Sequence, residues 1–135
     1  MNTHRYVLLL GTSLASPQVL RLAAELLSTQ GLVEAASGVV EGPSVSGDDP
    51  RRFHNQALVL ATGLANDALV PVLKAIEAEL GRVPGERQCV IDIDLACECD
   101  AHGIVLWRDG AKLGHPLFVG LMQDVLDQLR GTPTA

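Results

Sequence analysis

Two aspartates one residue apart, Asp92 and Asp94, are the side chains whose type and spacing point most directly to chemistry. They lie in Gln88-Cys89-Val90-Ile91-Asp92-Ile93-Asp94-Leu95-Ala96-Cys97. Cys89, Ile91, Ile93, Leu95 and Cys97 fall on one side of this stretch, and Gln88, Val90, Asp92, Asp94 and Ala96 on the other. That alternation reads as a β-strand with one face in the core. Side chains two apart on a strand share a face at about 7 Å. Carboxylates that close repel, and a hard divalent cation relieves the repulsion. Mg²⁺ takes one or two protein carboxylates and completes its shell with waters and phosphate oxygens. The plainer reading is an edge strand whose outer face carries two solvated acids. Cys89, Cys97 and Cys99, with His102 nearby, suggest a zinc cluster. The alternation puts all three thiols on the buried face, however, and zinc-binding pairs usually show wider, regular spacing, so a core role is preferred.

The elements that must position these acids follow from periodicity. Tyr6 to Leu10 is an apolar run ended by Gly11-Thr12-Ser13, the pattern of a buried central strand. Ser16 and Pro17 predict a helix start, Val19, Leu22, Ala23, Leu26 and Leu27 its apolar stripe, and Gly31 its end. Leu32 to Glu41 reads as a strand interrupted at Ser37-Gly38. Gly42 to Arg52, rich in Gly and Pro, reads as a mobile surface loop of the kind that closes over ligands. Phe53 to Thr62 is a strand. A helix capped by Asn66 follows, with Leu69, Val72, Leu73, Ile76 and Leu80 as its stripe; Pro71 should bend or delay it, and Gly81 ends it. Arg82 to Arg87 connects it to the aspartate strand. The order β-α-β-β-α-β predicts an α+β, ferredoxin-like sandwich with two helices on one face of a mostly antiparallel sheet. Ile104 to Trp107 adds a short strand, Phe118 to Leu129 a C-terminal amphipathic helix, and Gly131 to Ala135 a frayed tail.

Bulk properties narrow the function. With 135 residues, 47% hydrophobic, the expectation is a single domain over residues 1–135. A net charge of −6 without a basic run argues against a nucleic-acid partner. Met1-Asn2-Thr3-His4-Arg5 has no apolar core, and Val7 to Leu10 is far too short to span a bilayer, so the expectation is a cytoplasmic chain with no membrane partner. Three cysteines, an odd number, do not form a disulfide framework.

The motifs in order resemble those of the 6-hydroxymethyl-7,8-dihydropterin pyrophosphokinases of folate biosynthesis. Tyr6 through Pro17, with Gly11-Thr12-Ser13-Leu14, is similar to the family's opening strand and G-S-N-L turn. Ser37, Pro43 and Phe53-His54-Asn55 resemble its S…P…(F/Y)-x-N segment. Ile76-Glu77 with Leu80-Gly81-Arg82 resembles I-E-x-x-L-G-R, Asp92-Ile93-Asp94 resembles D-L-D, and His115-Pro116 resembles H-P. The resemblance implies transfer of pyrophosphate from ATP to a reduced pterin by a Mg²⁺-dependent monomer. It implies that Asp92 and Asp94 hold the metal and, with Arg82, form the catalytic set. Phe53 would stack on the pterin and Asn55 bond its polar edge, with Gly42, Pro43 and Val45 alongside. Glu77, Arg82, Arg87, Lys112 and His115 would line the ATP.

The chain also departs from the family pattern. The connector before the aspartates is shorter, Cys89 stands where its final arginine should, and Leu121 replaces an arginine beyond the H-P pair. A thiol or an isobutyl group cannot replace a guanidinium fork; Arg87, Arg108 and Lys112 are the remaining cations nearby. Without the resemblance, Phe53 reads as a core aromatic, Glu77 and Arg82 as a solvated helix end, His54 as surface, and His115 as a helix start. Two alternatives therefore stand beside the enzyme: a non-catalytic relative that keeps a pterin-like pocket, and a small interaction module whose acid pair is incidental.

Overall fold

The computed structural model describes residues 2–131. The part of the expected tail from residue 132 onward lies outside them. The elements run β1 (His4–Thr12), α1 (Gln18–Leu27), β2 (Leu32–Ala36), β3 (Val40–Pro43), β4 (Arg52–Thr62), α2 (Asn66–Glu79), β5 (Asp92–Cys99), β6 (Val105–Arg108) and α3 (Pro116–Leu129). Six strands form one antiparallel sheet in the order β2-β4-β1-β5-β6, with β3 also on β4. This is the ferredoxin-like α+β arrangement expected from the element order. β1 is its central strand, buried from Tyr6 to Thr12, which explains its unbroken apolar run.

Both faces of the sheet are covered. Tyr6, Leu8 and Leu10 meet Leu20 and Ala23 of α1 and Leu69, Leu73 and Ile76 of α2. Val7 and Leu9 point the other way, with Ala57 and Val59, into a second core completed by Leu121, Met122, Val125 and Leu126 of α3. β5 serves both cores through a bulge. Leu8 pairs with Leu95 and Val7 with Cys97, so Ala96 is an extra residue. Ile91, Ile93 and Leu95 therefore face α1 and α2, whereas Ala96, Cys97 and Cys99 face α3. This corrects the strict alternation read from sequence, which placed all three cysteines on one side. Cys89 lies before the strand, half-buried, and no three or more His, Cys, Asp or Glu side chains gather as a metal group among the described residues. Burial pushes the thiols of Cys97 and Cys99 up to about 11 and about 12.

Three local expectations change. Asn66 is the first helical residue of α2, not its cap. The N-cap is Ala65, and the approach is fixed by Tyr6 Oη donating to the Leu64 carbonyl at 2.8 Å. Pro71 lies inside the helix rather than delaying it. The stretch read as a loose loop is a tied hairpin. Gly42 and Pro43 pair with Phe53 and Arg52, and the turn beyond is closed by Ser44 N–H donating to the Arg51 carbonyl at 3.0 Å.

Candidate active site at one end of the sheet

The register of β1 brings the singled-out residues together. Gly11 lies between Asn55 on β4 and Asp92 on β5, and one step inward Leu9 lies between Ala57 and Asp94. Phe53 follows two residues from Asn55 on the same face. A Cβ at Gly11 would come 3.0 Å from Asn55 Oδ1. Beside it lies a pocket of about 320 Å³, whose wall includes Gly11, Val45, Phe53, Asn55, Asp92, Asp94, Lys112 and Phe118. Asn55 is 7% exposed, and its amide makes no hydrogen bond to protein among the described residues. Its polar atoms open onto the pocket without a protein partner, which suits a ligand with a complementary polar edge.

The two carboxylates are held differently. α2 ends in a Schellman turn: Gly81 adopts φ +100°, Arg82 N–H donates to the Glu77 carbonyl at 3.0 Å, and Gly81 N–H to Ala78 at 3.1 Å. That turn aims Arg82 Nη1 at Asp92 Oδ1, 2.8 Å away, and at Glu77 Oε2, 3.1 Å away. Glu77 is 3% exposed and accepts the Ile93 N–H at 2.7 Å, closing a stretch of β5 that β6 does not reach. Lys112 Nζ sits 3.0 Å from Asp94 Oδ1. Asp109 holds the Lys112 turn by accepting the Ala111 N–H at 3.0 Å.

Electrostatics split the pair. Burial, the neighbouring Asp92 charge and the hydrogen bond to Asp92 push Asp94 up to about 6, against the pull of Lys112. Burial also works to raise Asp92, but hydrogen bonds from Asp94 and Arg82 outweigh it and hold that carboxyl below its usual range. The pair therefore gives up its last proton late, from Asp94 and only towards about 6, as repulsion demands.

Other expected site residues lie at different distances from this centre. Val45 lines the pocket directly, whereas Gly42 and Pro43 support it through pairing with β4. Arg87 is exposed in the connector, and its carbonyl accepts from Arg51 Nη1 at 3.1 Å. His115 caps α3, its Nδ1 accepting the Leu117 N–H at 3.0 Å, and its ring meets the edge of Phe118 at 6.3 Å. His54 faces away from Phe53 as expected, yet its side chain is only 13% exposed and pairs with Glu41 at 3.3 Å. Leu121, at 6% exposure, belongs to the α3 core.

Sequence reasoning missed several wall residues, among them Gly11, Phe118, Asp49 and Arg51. From sequence Gly11 is a strand stop and the start of a turn motif, and its position between Asn55 and Asp92 depends on long-range register. Phe118 was one apolar position in a helical stripe. Asp49 and Arg51 lay in the expected loop. Arg51 forks onto Asp49 through Nε at 2.9 Å and Nη2 at 2.5 Å, and its guanidinium lies 5.1 Å from the centre of the Phe53 ring.

Fold and site together define a ferredoxin-like α+β domain with a polar-edged aromatic pocket beside two carboxylates. Across residues 7–119 the chain matches the 7,8-dihydro-6-hydroxymethylpterin-pyrophosphokinase (HPPK) family. It belongs to that family. No individual curated protein matches it. Among the described residues no helix is long and apolar enough to cross a membrane.

Proposed function

We propose that this chain transfers pyrophosphate from ATP to the hydroxymethyl group of 6-hydroxymethyl-7,8-dihydropterin, releasing AMP, as a cytoplasmic monomer using Mg²⁺. One observation carries the reading: a single pocket holds Phe53, the unpartnered Asn55 amide, Asp92 and Asp94. A flat heteroaromatic with a donor–acceptor edge fits the first two, and a phosphorylated group beside a hard cation fits the second two. The acid pair suits Mg²⁺ because it offers two oxygen ligands, no sulfur or imidazole, and a carboxyl whose ionisation is opposed by its neighbour. When bound, the metal supplies charge neutralisation to the triphosphate. The residues do the rest: Phe53 and Asn55 orient the pterin, Arg82 and Lys112 bind phosphate oxygens, and Glu77 keeps Arg82 aimed.

A second reading, a relative that binds pterin without turning over ATP, is favoured by specific contacts. Arg82 and Lys112 already neutralise Asp92 and Asp94, and Leu121 is enclosed in the α3 core instead of presenting a cation. A coupled assay for AMP release with the reduced pterin decides between them. Mg²⁺-dependent release that is lost in Asp92→Ala supports the enzyme. Pterin binding without release supports the relative. Failure of both binding and release refutes both.

A further inference from the structure

Beside the main pocket lies a cavity of about 340 Å³, lined by Arg51, Phe53, Arg82, Gln88, Cys89 and Asp92 among others. Its far wall is the connector from α2 to β5, where Cys89 stands in the place of a cation. Two guanidinia reach it from different elements. Every recorded contact of Arg82 runs through Nη1, to Asp92, Glu77 and the Ile91 carbonyl. Its Nε and Nη2 have no partner among the described residues. Arg51 enters from the opposite hairpin. Its Nε and one N–H of Nη2 go to Asp49, and one N–H of Nη1 goes to the Arg87 carbonyl. A guanidinium has five N–H donors, so one remains on each terminal nitrogen of Arg51.

We infer that Arg51 is a phosphate-binding residue of this chain, facing Arg82 across that cavity and supplying from the turn before β4 the guanidinium that the connector lacks at Cys89. The inference rests on the proposed use of ATP and adds a residue to it. Two charged forks with unspent donors, on either side of a space that opens onto Asp92, suit a polyphosphate running out from the acid pair. Asp49 does not block this. It fixes the plane of the guanidinium through the Nε side and, with the Arg87 carbonyl on Nη1, leaves one N–H on each terminal nitrogen, while the Phe53 ring backs the cation at 5.1 Å. Because Arg51 also lines the main pocket, it stands where the two ligands would meet.

The simpler role for Arg51 is to staple the hairpin to Asp49, and the two roles diverge experimentally. Inorganic tripolyphosphate is titrated calorimetrically, with Mg²⁺, into the full chain and into Arg51→Gln, Arg51→Lys and Asp49→Asn. Phosphate binding by Arg51 predicts at least about ten-fold weaker affinity for Arg51→Gln, since a charge-assisted fork is lost. Arg51→Lys should fall between the two, and Asp49→Asn should bind as tightly as the parent or tighter. A staple predicts equal losses in Arg51→Gln and Asp49→Asn. That result, unchanged affinity in Arg51→Gln, or no binding by the parent overturns the inference. Arg51-dependent tripolyphosphate binding without AMP release would support the inference while removing the proposed activity. Normal AMP release by Arg51→Gln would do the reverse.

Discussion

Replacing Asp94 by asparagine should stabilise the metal-free protein at pH 8 and do little at pH 4. Asp94 is held at about 6 in the fold, against 3.8 for an ordinary aspartate. The folded chain therefore binds this proton more tightly than the unfolded chain does. Ionisation of Asp94 opposes folding by an amount that is negligible below 3.8, grows as the pH climbs towards 6, and is complete above it. A displacement of that size corresponds to about 3 kcal/mol at full ionisation. The side chain is 21% exposed, and solvent screening lowers the expected figure to about 2 kcal/mol. Asparagine keeps the shape and cannot ionise; any constant offset from the exchange cancels when two pH values are compared. Urea unfolding in EDTA should show the advantage of Asp94→Asn over the parent growing by about 2 kcal/mol from pH 4 to pH 8. Adding Mg²⁺ should stabilise the parent at pH 8 and leave the variant unmoved. An advantage that does not change with pH, or one that shrinks from pH 4 to pH 8, would refute the assignment of strain to this carboxyl.

Glu77→Ala strands the Ile93 N–H and unanchors Arg82, so thermal or urea unfolding should register a loss of about 3 kcal/mol, with Glu77→Gln milder. Gly11→Ala should leave stability within about 1 kcal/mol but displace the Asn55 amide, so that pterin affinity in a fluorescence titration falls as far as in Asn55→Ala. Leu121→Arg buries a charge among Met122, Val125 and Leu126 and should cost roughly 3 kcal/mol or more without raising AMP release. Cys89→Arg, at a half-buried position facing the connector cavity, should be tolerated and should raise AMP release above the parent's.

Local patterns carried most of the fold. The apolar run of β1, the helical stripes of all three helices, the break at Ser37-Gly38 and the stop at Gly81 each reflect interactions within a few residues, and each appears in the structure near its expected place. What sequence could not carry was register. The bulge at Ala96, which puts Ala96 and Cys97 on the same face, lies in the pairing of β5 with β1 and is invisible in an alternating string. The same limit hid Gly11, whose importance is its alignment with Asn55 and Asp92. Glu77 was noticed through the motif, but its burial and its hold on the Ile93 N–H depend on where β6 ends. Arg51 was lost for another reason: its partners are one short ion pair, one ring face and one distant carbonyl, none of which leaves a period in the chain.

The extra residue at Ala96 also bears on how this chain can drift. It shifts the phase of the strand, so that the stretch before it answers to the pocket and to α1 and α2, and the stretch after it answers to α3. Substitutions on one side need not be matched on the other. A lineage can repack around Cys97 and Cys99 without moving a carboxylate, or alter the acids without loosening α3. Length is tolerated less evenly. Removing Ala96 itself would let Leu95 and Cys97 pair in succession with Leu8 and Val7, keeping the acids beside Gly11 and the thiols towards α3 while taking out the local bend. Removing a second residue would turn both thiols towards α1 and α2 or slide Asp92 and Asp94 away from Gly11. Along this segment one residue of length is spare and the next is not.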